Sequence, residues 1–209
     1  MKKLVSYILV FGFLSFLGSG CIKNPDTLFT GSLAELDAAT WNANSVGVTY
    51  PIMNRTPAFG RALTTACPDS TLRRFSGTIR IRVNMVGPQS SKEETVGFKI
   101  FTSPITTTTA PASLLNTSAA GTACRQEPAI AASTVTVTDA VAGTHYNITS
   151  GANKVTIPPN SSFGFIEITI LNNGATAGSS RFLGIELDDT GTVKANPNYN
   201  KIGLLIDQR

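Results

Sequence analysis

The chain has 209 residues, of which 42% are hydrophobic and 14% charged, and its formal net charge is +4 at pH 7. An average soluble domain carries roughly 25% charged residues, so uncharged polar side chains must cover most of this surface. The composition excludes a highly charged disordered chain and a coiled coil. It also excludes a basic nucleic-acid binder, because lysine and arginine form no dense patch that would hold phosphates.

The first twenty residues predict a secretory leader. Lys2 and Lys3 precede an apolar run over residues 4–17, and three small residues follow it. A helix of this run would span about 21 Å, which is less than the ~30 Å hydrocarbon core of a bilayer. Residues 1–20 are therefore predicted to be a cleaved signal peptide rather than a membrane anchor.

Cys21 directly follows Gly18-Ser19-Gly20, and this pattern resembles the lipobox of bacterial lipoproteins. The resemblance implies cleavage before Cys21 and acyl chains on it, which would anchor the protein to a membrane essentially permanently. Gly18 departs from the family's large aliphatic residue at that place. The alternative is an ordinary signal peptide that leaves Cys21 as a free thiol. We expect lipidation at Cys21, an exposed tether over residues 21–31, and a location at the cell outer membrane on either its periplasmic or its surface face.

Two further cysteines, Cys67 and Cys124, lie in loop-like sequence. An exported protein is exposed to oxidants. If Cys21 carries lipid, two cysteines are left, and this even number predicts one disulfide. The alternatives are a metal pair or a catalytic thiol. Neither cysteine has a histidine or a second cysteine at ligand spacing, so the disulfide between Cys67 and Cys124 is the preferred interpretation.

Most of the remaining chain has the period-2 alternation of strands with one buried face. The predicted strands cover residues 78–86, 95–101, 154–157, 163–171, 181–187 and 201–206, with weaker candidates at 32–39 and 46–53. Turn sequences such as Asn172-Asn173-Gly174 separate them. This pattern predicts an all-β, immunoglobulin-like sandwich as a single domain over residues 32–209. A Thr-, Ala-, Ser- and Pro-rich segment at about 102–133 is predicted to be a long insertion.

The C-terminal half resembles a Calx-β-like domain. The resemblance is carried by Ala142-Gly-Thr-His-Tyr146, by residues 155–161, by Ile166-Glu-Ile-Thr-Ile170 and by residues 183–187. Calx-β domains can bind calcium through acidic loops. Here Asn172 and Asn173 stand where the calcium binders carry adjacent aspartates, so we expect no metal and no cofactor.

Over residues 31–206 the chain also resembles uncharacterised lipoproteins that are encoded beside SusC/SusD-type glycan-uptake systems. The matching segments are residues 35–41, 143–146 and 194–201. This resemblance implies a module that is accessory to an outer-membrane transporter complex. The membrane is the expected partner through the lipid anchor, and the composition predicts no nucleic-acid partner.

Catalytic signatures are sparse. The single histidine, His145, lies in a turn, and the sequence has no G-x-S-x-G, H-E-x-x-H or P-loop motif. Glu35 and Asp37 would share a face of a strand, but so near the tether a solvated face explains them better than glycoside hydrolysis. We therefore predict that the chain is not an enzyme.

Two functions remain: a non-catalytic envelope lipoprotein that acts as a binding or scaffold module, and a surface glycan-binding lipoprotein. Sugar binding usually uses exposed aromatic rings, and the candidates are Trp41, Tyr50, Phe59 and Tyr199. Partial burial is the alternative for most of them, because large rings contribute much core area, and Tyr146 and Phe165 are assigned to the core. The scaffold module is the prediction and glycan binding is the alternative. The discriminating feature is whether Trp41 and Tyr199 are exposed together in one concave patch.

Overall fold

The structure, a computed structural model, describes residues 30–45, 47–57, 72–103, 109–110, 135–176 and 179–208. Its elements within these ranges are β1 (Leu33–Leu36), α1 (Asp37–Trp41), β2 (Ile52–Met53), β3 (Thr78–Val86), β4 (Glu94–Phe101), β5 (Thr109–Ala110), β6 (Val135–Asp139), β7 (Tyr146–Ile148), β8 (Lys154–Ile157), β9 (Phe163–Ile170), β10 (Ser179–Asp188), β11 (Lys194–Ala195) and β12 (Lys201–Asp207). A single 3₁₀ turn, Gly151–Asn153, precedes β8.

The strands form two sheets. The first sheet has the order β11-β1-β3-β9-β7, and the second has the order β2-β12-β10-β4-β8. The long strand β10 pairs with β4 along one half and with β6 along the other, and β5 extends the second sheet beyond β6. The predicted all-β sandwich of two sheets is confirmed.

The core lies between the two sheets, and alternation along each strand explains its composition. On β3, Ile79, Ile81 and Val83 are buried, whereas the residues between them face outward. Strand β9 contributes Ile166 and Ile168 to the same cluster. Burying each such side chain stabilises the fold by roughly 1.5–3 kcal/mol relative to exposure.

A second, smaller cluster covers part of the outer face of the second sheet. Its members are aromatic or large aliphatic side chains: Tyr50, Ile52, Val137, Phe182 and Leu205, with Val48 and Phe101 packed against them. The Phe101 ring makes edge contacts with Tyr50 and Phe182, at centroid distances of 5.3 and 5.8 Å. Strand β10 is consequently buried on both faces.

Two of the weaker predicted strands are shorter than expected. The strand predicted over residues 32–39 ends at Leu36, because Asp37–Trp41 forms one helical turn that buries Ala38 and Ala39. The strand predicted over residues 46–53 is confined to Ile52–Met53. The chain before it is bent by a hydrogen bond from the Ser45 N–H to the carbonyl of Tyr50.

Several predictions fall outside the described residues. These are the signal peptide over residues 1–20, all of the tether before residue 30, and the three cysteines Cys21, Cys67 and Cys124. Most of the segment predicted as an insertion also falls there. In the part of the chain that the structure describes, no helix has the length and apolar character needed to cross a membrane.

Candidate functional site

The position of Trp41 follows from the one-turn helix α1. Ala38 and Ala39 are strong helix formers, and both are buried against the core. The side-chain amide of Asn42 donates to the carbonyl of Ala38 at 2.7 Å and thereby ends the helix. The last helical residue, Trp41, lies on the exposed side of this turn, with 49% of its surface accessible to solvent.

Tyr199 is positioned by a turn that is bonded to β1. The N–H of Asn196 donates to the carbonyl of Ala34 at 2.7 Å, and the N–H of Leu36 donates to the carbonyl of Tyr199 at 2.9 Å. Within the turn, the side-chain oxygen of Asn196 accepts the N–H of Asn198 at 3.1 Å, as in an Asx turn. Tyr199 is 40% exposed.

Trp41 and Tyr199 line one cleft, which we call the Trp41–Tyr199 cleft. Its volume is about 790 Å³, within the range of small-molecule sites. The rest of the lining is mostly polar, because eight of the eleven other residues bear amide, hydroxyl or charged side chains: Thr40, Asn42, Asn44, Thr49, Glu186, Asn198, Asn200 and Lys201. The cleft therefore combines two exposed aromatic rings with a wall rich in hydrogen-bonding groups.

A three-residue ion cluster borders the cleft where β10 and β12 pair. The carboxylate of Glu186 lies 3.3 Å from the Lys201 ammonium and 3.4 Å from that of Lys99. Glu186 is the least exposed of the three, with 17% of its side chain accessible. Because both of its oxygens already contact ammonium groups, Glu186 holds Lys201 in place at the cleft wall.

Tyr50, another aromatic candidate, does not line the cleft. Its ring is buried in the outer cluster and cannot serve as an exposed sugar-stacking surface, and burial raises the pKa of Tyr50 to about 12. Phe59 lies outside the described residues. The assignment of Tyr146 to the core is confirmed, whereas that of Phe165 is wrong. Phe165 is half-buried on the outer face of the first sheet, under the guanidinium of Arg80.

The carboxylates Glu35 and Asp37 have structural partners. Asp37 is buried and accepts a hydrogen bond from the side-chain amide of Asn84 at 2.7 Å. Glu35 accepts one from Asn196 at 3.3 Å. Burial raises the pKa of Glu35, with a smaller contribution from the charge of Asp37, and the bond from Asn196 opposes the shift. Both acids support the elements that carry Trp41 and Tyr199.

His145 also has a structural partner. It is buried, and its Nδ1 accepts the N–H of Val141 at 2.9 Å, closing the turn before β7. Burial lowers its pKa, and the nearby charge of Arg181 lowers it further. His145 is not among the residues that line the cleft. Among the described residues, no group of three or more His, Cys, Asp or Glu could hold a metal ion.

The sequence reasoning found the two rings but missed the polar wall. The sequence did contain a signal for the polar wall, because asparagines lie beside each aromatic residue in Trp41-Asn-Ala-Asn44 and in Asn196-Pro-Asn-Tyr-Asn200. Glu186 and Lys201 gave no such signal. They belong to two different strands and become neighbours only through the pairing of β10 with β12.

No protein-family model and no curated protein matches this chain. Twelve solved chains resemble its structure, among them the apo form of the Calx CBD1 domain, with 12% identity and a TM-score of 0.41. That match covers 85% of this chain and 98% of the Calx domain.

Two of the similar structures come from Bacteroides ovatus. One, a protein named for carbohydrate binding, is 11% identical with a TM-score of 0.37, and the match covers 63% of this chain and 31% of that protein. The other, a protein of unknown function, is 6% identical with a TM-score of 0.41, and the match covers 86% and 52%. Structural similarity at such low TM-scores supports no conclusion about the ligand or the activity of this chain.

Proposed function

We propose that this chain is a non-catalytic carbohydrate-binding module that holds a glycan in the Trp41–Tyr199 cleft. The observation that supports the proposal is the exposure of these two rings in a single cleft. Aromatic rings present flat apolar faces, and the C–H faces of sugar rings are their natural partners. The same observation favours glycan binding over the scaffold module that the sequence alone predicts.

The polar wall suits the same class of ligand. A sugar hydroxyl is both a donor and an acceptor, and so is each asparagine side-chain amide. Asn42, Asn44, Asn198 and Asn200 all line the cleft. Lys201 adds a donor that is kept in position by Glu186.

The absence of catalysis is part of the proposal. General acid–base hydrolysis of a glycoside needs two carboxyl groups flanking the bond. Of the described residues that line the cleft, Glu186 alone carries a carboxylate, and it is engaged by two lysines. A module that binds and does not cleave would fit the predicted envelope lipoprotein, anchored through Cys21 and accessory to an outer-membrane uptake complex.

Binding to a panel of purified polysaccharides, measured by affinity electrophoresis and then by calorimetry on the hits, tests the proposal. Trp41→Ala and Tyr199→Ala should each weaken binding about tenfold or more, which corresponds to ~1.4 kcal/mol. Phe75→Ala is the matched control, because Phe75 is exposed and does not line the cleft. Binding that survives both cleft substitutions would refute this site.

A second experiment addresses the envelope context. Labelling with a radioactive fatty acid should modify the wild-type protein and not the Cys21→Ser variant. Crosslinking of the lipidated protein in solubilised envelopes, followed by mass spectrometry, should identify a transporter-type neighbour. Recovery of the protein without any partner would remove the accessory role and leave the glycan site to be judged by the binding experiment.

A further inference from the structure

The loop between β9 and β10 contains the one Asn-Gly pair of the whole sequence, Asn173-Gly174. Asparagine is chemically labile, because the backbone nitrogen of the next residue can attack its side-chain amide carbon and close a five-membered ring. Intramolecular attack of this kind is fast when the two atoms can meet, and glycine offers its nitrogen without a side chain beside it. The sequence therefore makes Asn173 its most reactive asparagine.

The loop holds this pair outside the hydrogen-bonded framework of the sheets. Residues 172–176 are all exposed, and Gly174 has a φ of +85°. The backbone N–H groups of Leu171 and Thr176 each donate to a carbonyl outside the loop at 2.8 Å. Among the described residues, no backbone–backbone hydrogen bond involves residues 172–175. The Asn-Gly pair can therefore change conformation while both ends of the loop stay attached to the fold.

The nitrogen of Gly174 is held by a side chain. Its N–H donates to Oδ1 of Asn172 at 3.2 Å. The guanidinium of Arg74 donates to the same oxygen and so helps to keep that side chain in place. For the ring to close, the Gly174 nitrogen must leave this oxygen and approach Cγ of Asn173. Breaking an exposed hydrogen bond costs little net free energy, because water takes the place of the lost partner.

Two other asparagines, Asn44 and Asn160, precede serines, whose small side chains also hinder the attack little. In both pairs the serine N–H donates to a backbone carbonyl, at 3.0 Å for Ser45 and at 3.1 Å for Ser161. A backbone hydrogen bond within a folded turn is lost only when the turn itself opens. The fold therefore restrains the attacking nitrogen in these two pairs, whereas the Gly174 nitrogen needs only to leave one exposed side chain.

We propose that Asn173 deamidates in the folded protein and that the side chain of Asn172 restrains the reaction. Hydroxide takes the proton of the Gly174 amide, and the nitrogen bonds to Cγ of Asn173. The Cγ–Nδ2 bond then breaks, and Nδ2 leaves as ammonia with a proton from water. A second water molecule opens the cyclic imide at either of its two carbonyl carbons. The products are aspartate and isoaspartate, and each carries a negative charge that asparagine lacks.

The reaction is independent of the proposed glycan site. None of the residues that take part in it lines the Trp41–Tyr199 cleft. It consumes water and releases ammonia, with no change of oxidation state. The purified full chain without any ligand is therefore the proper protein for the test.

Prolonged incubation of the protein at neutral pH, followed by peptide mass spectrometry, tests the proposal. Asn173 should convert to a mixture of aspartate and isoaspartate, and isoaspartate is diagnostic because it forms through the cyclic imide. Asn44 and Asn160 should stay intact over the same period. In protein unfolded with guanidinium chloride these two asparagines should react as well, because the backbone hydrogen bonds that restrain their neighbours are lost.

Three variants make the result decisive. Asn172→Ala removes the acceptor of the Gly174 N–H and should raise the rate several-fold. Asn173→Gln keeps a side-chain amide but would need a six-membered ring, so position 173 should stay unmodified. Asn147→Ala, at an exposed position of β7, is the matched control and should leave the rate unchanged. Thermal unfolding confirms that each variant is folded.

Two results would overturn the proposal. One is an Asn173 that stays intact in the folded protein or reacts no faster there than the two asparagines that precede serines. The other is an equal rate in Asn172→Ala and the wild type, which would show that the Asn172 side chain does not restrain the attacking nitrogen.

Discussion

The backbone N–H of Leu36 donates to the carbonyl of Tyr199 at 2.9 Å, across 163 positions of sequence. Leu36 is the last residue of β1, and the next residue begins the helix that ends at Trp41. This one hydrogen bond therefore ties the turn that carries Tyr199 to the element that carries Trp41. The cleft depends on the backbone at this point as much as on its side chains.

The Asn196 turn should control ligand affinity through Tyr199. Asn196→Ala removes the acceptor for the Asn198 N–H and the donor to Glu35. We expect a loss of ~1 kcal/mol in unfolding free energy and a several-fold loss of glycan affinity, because the turn would no longer hold one geometry. Urea unfolding and calorimetry measure the two effects. Asn173→Ala, in an exposed loop, is the control and should change neither quantity.

Asn84 should be required for the stability of helix α1. Its amide donates to the buried carboxylate of Asp37 at 2.7 Å, and Asn84→Ala removes that donor. We expect the unfolding free energy to fall by ~1–3 kcal/mol. Asn84→Asp should cost more, because it places a second carboxylate beside the first. Chemical denaturation checks both variants, and the exposed Asn147→Ala serves as the control. Equal stability of the Asp and Ala variants would contradict this account.

Adding a side chain at Gly184 should lower the stability of the fold. A Cβ at this position would lie 2.6 Å from the carbonyl oxygen of Phe101 and 2.7 Å from carbons of its ring. Gly184→Ala should therefore lower stability by about 1–3 kcal/mol through overpacking. Gly151→Ala offers a matched control, because nothing lies within 4 Å of the added Cβ. Thermal melts of the two variants should differ by several degrees, and similar melts would show that the strand can shift to make room.

His145 should make stability depend on pH. Burial and the charge of Arg181 lower the pKa of His145 below its ordinary value of 6.5, and its Nδ1 already accepts the N–H of Val141. The unfolded chain therefore takes up the proton first. The contribution of His145 is full above pH 6.5 and is lost as the pH falls through the lower pKa of the folded state.

A variant isolates this effect. Unfolding free energies of the wild type and of His145→Gln should be compared between pH 5.5 and 7.5, above the range in which ordinary carboxyl groups titrate. The unfolding free energy of the wild type should fall as the pH is lowered toward 5.5. That of the variant should be lower at every pH but should depend less on pH. Parallel profiles for the two proteins would assign the pH dependence to other groups.

The sequence by itself determined the fold class and most of the strands. Period-2 alternation defined residues 78–86 and 154–157 with the bounds that β3 and β8 have in the structure. This succeeded because a strand with one buried face needs an apolar residue at every second position, whatever its neighbours are. Composition also excluded the charged and basic classes of protein. The same local logic failed at Phe165, since an apolar residue on the second face of a strand can be covered by an arginine instead of a core.

Only the tertiary structure determined which residues come together in the proposed binding cleft. Trp41 and Tyr199 were candidates for ligand binding among several aromatics, but only the folded chain shows that these two rings are exposed in one cleft and that Tyr50 is buried. The cleft arises because β1 pairs with β11 and bonds to the turn after it, and because Glu186 pairs with Lys201 across two strands. Such contacts join residues more than a hundred positions apart or in different strands. Strand order and register determine them, and neither property is written in the alternation of a single strand.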